Sequence, residues 1–449
     1  MSGLLGIYSK SDINKKMFYG LSCLQHRGQD SAGIVISDGE NLNRRKSRGL
    51  VNDVFDDRNL EELKGNIGIG FVGYLKQEEN KDYNVQPLMS FVKGQKFSLA
   101  HDGNLINYQI LRTRLEQEGM MFHTSIDSEV ILYLISRYYK DDIVEAIRKT
   151  MDMIEGGYSV IFLMKDKLIA FRGTRGIRPI MIGENDEEVI IASENSAIEI
   201  LGDAKIRDLK PGEIVVVDQD GVHSYMYKED LPHPSHCIFE YVYTARSDAD
   251  IDGVNAYNFR RRAGEILYKE APCDVDLVCA VPDSGTPSAI GYSQASGLPF
   301  AEGLVKNRYM GRTFIKPSQD ERELAVKLKL NPLRTVLEGK RIVLLDDSIV
   351  RGTTSEKLIK RMRKAGAKEI HMRITSPPVA YPCYYGIDTP SKRNLIAANL
   401  NIEEIRESIG ADSLAYISME GFLKATGMKD DTYCKACFTG DYPIDPIII

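Results

Sequence analysis

The densest chemistry in this sequence lies in one string, RIVLLDDSIVRGTTSEKLIKRM, residues 341–362. An apolar run ends on two adjacent carboxylates, Asp346 and Asp347. The loop after them carries Ser348, Gly352, Thr353, Thr354 and Ser355, and a helical pattern then opens with Glu356 and Lys357. Open parallel sheets hold ligands at the carboxyl ends of their strands. A helix N-terminus preceded by small hydroxyl residues offers free N–H groups to an anion. Two carboxylates beside such a nest suit the paired hydroxyls of a ribose, or a magnesium ion. The ligand so described is a sugar phosphate with free hydroxyls. The G-x-x-x-x-G-K-[ST] pattern of nucleotide triphosphatases is absent. The plainer alternative is an acidic strand end and a helix capped by Thr354 or Ser355.

Cys434 and Cys437 form a C-x-x-C. That spacing alone is a weak metal signal, and a buried reduced pair accounts for it as well. Cys23, Cys273 and Cys279 sit in apolar stretches and read as core residues.

The elements that must position these groups change character along the chain. The first half reads as short strands, at 33–37, 67–75, 96–103, 158–164, 167–173, 188–193 and 212–218. Helical patterns cover 17–25 and 128–154, the latter broken in two. Strands with Gly- and Asp-rich turns plus a few helices predict an α+β layered domain. The segment 230–237, DLPHPSHC, has no hydrophobic period and reads as a linker. Beyond it, apolar runs at 275–281 and 341–347 each lead through a polar loop into a helix, and 368–378 supplies a further strand. Continuous apolar runs followed by helices predict a buried parallel sheet.

The chain has 449 residues, enough for two large domains with proper cores. Its formal net charge of −6 argues against a general nucleic-acid binder. No run of about 18 apolar residues occurs, so no transmembrane helix is expected. The start has no secretory pattern. Seven cysteines, an odd number thinly spread, favour a reducing compartment, and the cytoplasm is expected.

Longer strings carry a resemblance. AVPDSGTPSAIGY (280–292), KNRYMGRTFIKPSQ (306–319), KLKLNPLRTVLEGKRIVLLDDSIVRGTTS (327–355), YYGIDTP (384–390), ADSLAYIS (411–418) and CKACFTGDYP (434–443) are similar to those of the glutamine phosphoribosylpyrophosphate (PRPP) amidotransferase family. QHRGQDSAGI (25–34) and RGIRPIMIG (175–183) match its glutaminase half. The implied fold is an N-terminal nucleophile αββα sandwich over 1–232, followed by a type I phosphoribosyltransferase α/β domain over 233–449.

By motif, the resemblance implies that Asp346 and Asp347 hold the ribose hydroxyls. Ser348 and Arg351, Gly352, Thr353, Thr354 and Ser355 would wrap the 5′-phosphate. Asp283, Ser284, Gly285 and Thr286 would form a pyrophosphate loop. Residues 308–329 would supply a lid, with Arg308, Arg312, Lys327 and Lys329 facing the ligand. Tyr257 and Arg260 belong to a segment similar to the family's V-Y-x-x-R. Ser284, Asp346 and Asp347 would hold Mg2+. Cys237, Cys383, Cys434 and Cys437 fall where one branch of the family places 4Fe-4S ligands. Implied partners are PRPP, ammonia or glutamine, and purine nucleotides as inhibitors, in a homodimer or homotetramer.

The glutaminase half departs from the family pattern. Ser2 occupies the position of the family's N-terminal cysteine nucleophile. The family's G-H-x-R-Y-S-T reads G-F-V-G-Y-L-K here, so Phe71 and Gly73 replace a histidine and the glutamine-binding arginine. The oxyanion-hole turn N-G-N is D-G-N, with Asp102. R-D-x-R-G is R-G-T-R-G, with Gly173. A carboxylate repels a developing oxyanion, where one lost donor already costs ~10²–10³ in rate. The expected function is 5-phosphoribosylamine formation from PRPP and ammonia, with an inactive glutaminase half. The alternatives are a glutamine-dependent enzyme using Ser2, and a non-catalytic PRPP or nucleotide sensor.

Overall fold

The computed structural model describes residues 1–75, 81–92, 94–307, 330–389, 391–428 and 432–446. Two antiparallel sheets build the first half. One runs in the order 205–208, 181–184, 188–192, 2–9, 67–73, 31–37 and 42–48; the other runs 221–226, 213–218, 168–172, 156–163, 95–105 and 88–92. Apolar residues of their facing sides, among them Leu4, Val35, Ile69, Ile161 and Val215, form one buried layer. The outer face of the first sheet packs Leu5 and Ile7 against Met17 and Leu21 of helix Asn14–Cys23. The outer face of the second packs Phe162 and Phe171 against helices Ser128–Tyr138 and Ile143–Met151. The layering is therefore helix, sheet, sheet, helix, and the long 128–154 pattern does break in two.

Strand Leu42–Arg48 escaped the sequence reading because LNRRKSR has no apolar alternation. It forms as the edge partner of Ser31–Ser37, in register from Ser37↔Leu42 to Ser31↔Arg48. Edge strands tolerate such charge because one side stays in water.

The second half carries four parallel strands, in the order 277–280, 341–346, 369–374 and 413–416. Helices Ala256–Glu270 and Thr286–Ser296 cover one face through Phe259, Leu267 and Tyr292. Helices Thr353–Lys364 and Ile402–Ile409 cover the other through Leu358, Met362 and Ile405. The apolar runs of the sequence are thus buried on both sides, as a parallel sheet requires.

The expected linker ends early. His236 and Cys237 pair in parallel with Tyr433 and Cys434, and the Cys237 N–H donates to the Ile177 carbonyl at 3.1 Å. The chain is therefore stitched at 236–237 to both its first half and its tail. Among the described residues, no helix is long and apolar enough to cross a membrane.

Candidate active site

Asp346 ends its strand and Asp347 starts the loop. Ser348 Oγ donates to Asp347 Oδ1 at 2.6 Å, and Asp346 Oδ1 accepts from the Asp347 N–H at 2.9 Å. Ser284 Oγ bonds the other Asp347 oxygen, so the 283–286 loop meets the acidic pair. Gly285 is required for that approach. A Cβ there would lie 2.7 Å from the Leu345 carbonyl oxygen and 2.8 Å from that of Val281. Burial, and then Asp347, push the Asp346 carboxyl well up; burial also raises Asp347, against Ser284 and Ser348. Two such carboxylates side by side call for a cation or for hydroxyl donors.

Helix Thr353–Lys364 opens on Gly352, whose φ of 78° is left-handed. No side chain caps the helix, so the suggested Thr354 or Ser355 cap is absent. Its first N–H groups are left for a ligand, which favours the anion-site reading of the loop. Thr353, Thr354 and Arg351 are exposed around this terminus, while Ser355 is buried. Thr286 opens the helix behind the second loop, and Asp283 pairs with Lys306. Tyr257, part-exposed, donates its backbone N–H to the Ser247 carbonyl at 3.0 Å. Arg308, Arg312, Lys327 and Lys329 lie outside the described residues.

A second polar centre occupies the first half. Ser2 begins its strand, and its backbone N–H donates to Asp102 Oδ1 at 2.7 Å. Arg178 grips Asp102 Oδ2 through Nε at 2.9 Å and Nη2 at 2.8 Å. Arg27 donates to the Ser2 carbonyl at 2.9 Å, to Glu194 at 2.7 Å and to both Glu240 oxygens at 3.0 Å. Arg178 Nη2 also reaches Glu240 at 2.9 Å. Burial alone would raise the Asp102 carboxyl, but Arg178 and Arg27 outweigh it and hold it below its usual range. Phe71 is buried, and its ring fills the space beside position 73, where a Cβ would meet Phe71 Cζ at 2.3 Å. Asn104 donates to the Tyr384 carbonyl at 2.9 Å, and Asp127 accepts the Leu105 N–H at 2.8 Å.

Burial works against the Glu194 carboxylate too, but His26 and Arg27 hold its pKa down at about 2, from an ordinary 4.5. A depressed carboxyl stabilises the fold above its ordinary pKa and loses that contribution as pH falls toward the folded value. Glu194→Gln is therefore expected to cost about 3 kcal/mol at neutral pH. The gap to wild type should close as the pH is lowered from about 4.5 to about 2. Urea titrations of both proteins across that range measure it.

The chain is similar to known proteins over nearly its whole length. Residues 76–199 match a family model described as a glutamine amidotransferase domain. The amidophosphoribosyltransferase of Methanothermobacter thermautotrophicus is 48% identical over 446 residues, covering 98% of this chain and 94% of that protein. That of Methanocaldococcus jannaschii is 47% identical over 463 residues, covering 99% and 98%.

The chain belongs to the amidophosphoribosyltransferase family.

Its fold and its class, a phosphoribosyltransferase of purine biosynthesis, come with that membership. The solved glutamine PRPP amidotransferase from B. subtilis, complexed with ADP and GMP, superimposes with a TM-score of 0.93 at 42% identity, over 99% of this chain and 98% of that one.

One expectation for this family member is corrected. Cys237, Cys383, Cys434 and Cys437 line one small cavity with Arg178, but its free volume is about 20 Å³, room for roughly one water. Burial pushes the Cys434 thiol up to about 12 and raises Cys237 and Cys437 as well. Among the described residues, no group of three or more His, Cys, Asp or Glu is disposed to hold a metal ion. The iron–sulfur assignment of these four cysteines is not borne out, and they are free thiols, Cys237 buried and the other three half-buried.

Sequence reasoning missed Arg178, Glu194 and Glu240. The signal available was a charged residue inside an apolar run, as in CIFEYVY and GIRPIMI. A buried charge needs a partner: Arg178 pairs with Glu240, and Arg27 pairs with both Glu240 and Glu194.

Proposed function

We propose that this amidophosphoribosyltransferase makes 5-phosphoribosylamine from PRPP and ammonia, and that its first half, residues 1–232, does not hydrolyse glutamine. The observation that carries the second clause is the contact of Ser2 nitrogen with Asp102. An N-terminal serine nucleophile needs its own α-amine as a neutral base. Freed by removal of Met1, that amine would face a buried carboxylate 2.7 Å away and stay protonated. The same carboxylate sits where the family resemblance expects an oxyanion donor. Phe71 fills the side of the pocket where the resemblance expects the glutamine-binding arginine.

The transferase half, 233–449 in this reading, keeps what its reaction needs. Asp346 and Asp347 would take the ribose hydroxyls. Ser348 and residues 351–355 would take the 5′-phosphate at an uncapped helix N-terminus. Asp283, Ser284, Gly285 and Thr286 would face the pyrophosphate, with Lys306 beside them. Tyr257 lies on the adjoining helix, and Arg308, Arg312, Lys327 and Lys329 would come from the lid string. The C1–oxygen bond breaks with its electron pair on pyrophosphate, the ammonia lone pair forms the C1–N bond, and the nitrogen sheds one proton. Two carboxylates whose burial disfavours their charge fit a divalent cation, and Asp346, Asp347 and Ser284 would hold Mg2+, which neutralises pyrophosphate charge when bound. Purine-nucleotide inhibition, a homodimeric or homotetrameric state and a cytoplasmic location belong to the same proposal.

Pyrophosphate release from Mg-PRPP tests it, with glutamine, ammonium chloride or neither. Turnover is expected with ammonium and at background with glutamine. Glutamine-driven turnover would mean that Ser2 works. PRPP binding without turnover in any mixture would favour the sensor.

A further inference from the structure

The reworked first-half centre does not stop at Asp102. Its two arginines converge on Glu240, fully buried, which opens a π-helical turn, Glu240–Thr244, closed by the Ala245 N–H donating to the Glu240 carbonyl at 2.9 Å. Such turns are rare and cluster at functional sites. Carbonyls in and just after the turn share one donor. Arg260 Nε donates to Tyr241 O at 2.8 Å and to Val242 O at 3.2 Å. Its Nη2 donates to Ala245 O at 2.7 Å and its Nη1 to Ser247 Oγ at 3.2 Å. Every one of those acceptors is neutral. Among the described residues, no carboxylate is in hydrogen-bond contact with this guanidinium, although Arg260 is only 4% exposed. Burial depresses its pKa, opposed by Asp347 first and Glu194 second. A buried cation with no carboxylate in contact is under-compensated where it stands, and Asp347 is the strongest opposing charge it feels.

We propose that Glu240 and Arg260 form a positioning relay. Arg27 and Arg178 clamp Glu240, Glu240 fixes the π-helical turn, and the turn holds Arg260 on helix Ala256–Glu270, which packs against the helix that opens at Thr286, where its charge favours a polyanionic sugar phosphate. The inference rests on the PRPP reading of the Asp346–Asp347 site and deepens it. It gives the altered pocket a structural use, because Arg27 and Arg178 brace the transferase half through Glu240.

Mg-PRPP binding, followed by titration calorimetry on full-length protein, separates this role from plain stability. Glu240→Gln, a near-isostere, and Arg260→Met are each expected to weaken binding by roughly tenfold or more, because small misplacements carry such factors. Arg260→Lys should recover part of the Arg260→Met loss. The matched control is Asp252→Asn. It breaks another buried pair between the halves, Arg172–Asp252 at 2.8 Å, whose two side chains bond neither Glu240 nor Arg260 among the described residues. It should lower Tm comparably yet leave PRPP affinity within about twofold of wild type. Equal affinity in Glu240→Gln and wild type would overturn the relay, as would an equal loss in Asp252→Asn. If Glu240→Gln does not fold, Arg260→Lys and Arg260→Met carry the comparison, since both leave the clamp intact. Failure of wild-type protein to bind Mg-PRPP would instead remove the reading beneath it.

Discussion

Asp102→Asn is expected to destabilise the protein by about 3 kcal/mol and to create no glutaminase activity, although it restores the family residue. The reason is the division of labour between the two carboxylate oxygens. Oδ1 accepts the Ser2 N–H, and Oδ2 accepts two N–H groups of Arg178. An asparagine has one acceptor oxygen, so its NH2 must face a donor on one side or the other. Removing one partner of a buried ion pair costs about 3–5 kcal/mol. The lower end applies, because Glu240 still holds Arg178 at 2.9 Å. Glutamine hydrolysis stays absent even in Ser2→Cys/Asp102→Asn, because the Phe71 ring still fills the space beside Gly73. Urea denaturation and a glutamate-release assay on both variants measure the two halves of this expectation. A variant as stable as wild type, or a double variant that releases glutamate, would remove the view of Asp102 as a structural charge.

How far the molecule was legible depended on how local each feature is. The strand, acidic pair, hydroxyl loop and helix of 341–364 could be read because they are consecutive in sequence. The parallel sheet could be read because strands buried on both faces leave continuous apolar runs. The layered first half was legible as strands, yet Leu42–Arg48 was not, because its hydrogen bonds come from a neighbour and its side chains face water. The relay was invisible for a different reason. Arg27, Asp102, Arg178, Glu194 and Glu240 span more than two hundred positions, and no local pattern says that their side chains meet. Resemblance pointed to individual losses at Phe71, Gly73 and Asp102. Only the packing reveals that one loss, the carboxylate of Asp102, is the charge that Arg178 uses. The cysteines illustrate the opposite risk: a resemblance supplied a ligand set for which the fold gives no metal-holding arrangement among the described residues.

In the proposed transferase site the acidic pair would set stability against function, and Asp346→Asn should expose the conflict. Burial and the neighbouring Asp347 both disfavour the Asp346 charge. A carboxyl whose folded pKa is raised destabilises the fold at pH values above it, so neutralising that group relieves the strain. Among the described residues the side chain makes one bond, and asparagine keeps it, because its oxygen can still accept the Asp347 N–H now held at 2.9 Å. The ligand-free variant is therefore expected to gain about 1 kcal/mol of stability. Phosphoribosyl transfer should fall by about 10²–10³-fold, the scale of losing one preorganised electrostatic group in a water-poor site. Denaturation without ligand, paired with pyrophosphate release under saturating ammonium, reads both numbers from one preparation. A variant less stable than wild type would mean that Asp346 is a structural anchor after all. A more stable variant that kept full turnover would move the sugar hydroxyls to Asp347 alone. A gain in stability joined to a loss of turnover is the signature of charge held in place for a substrate at the cost of the fold.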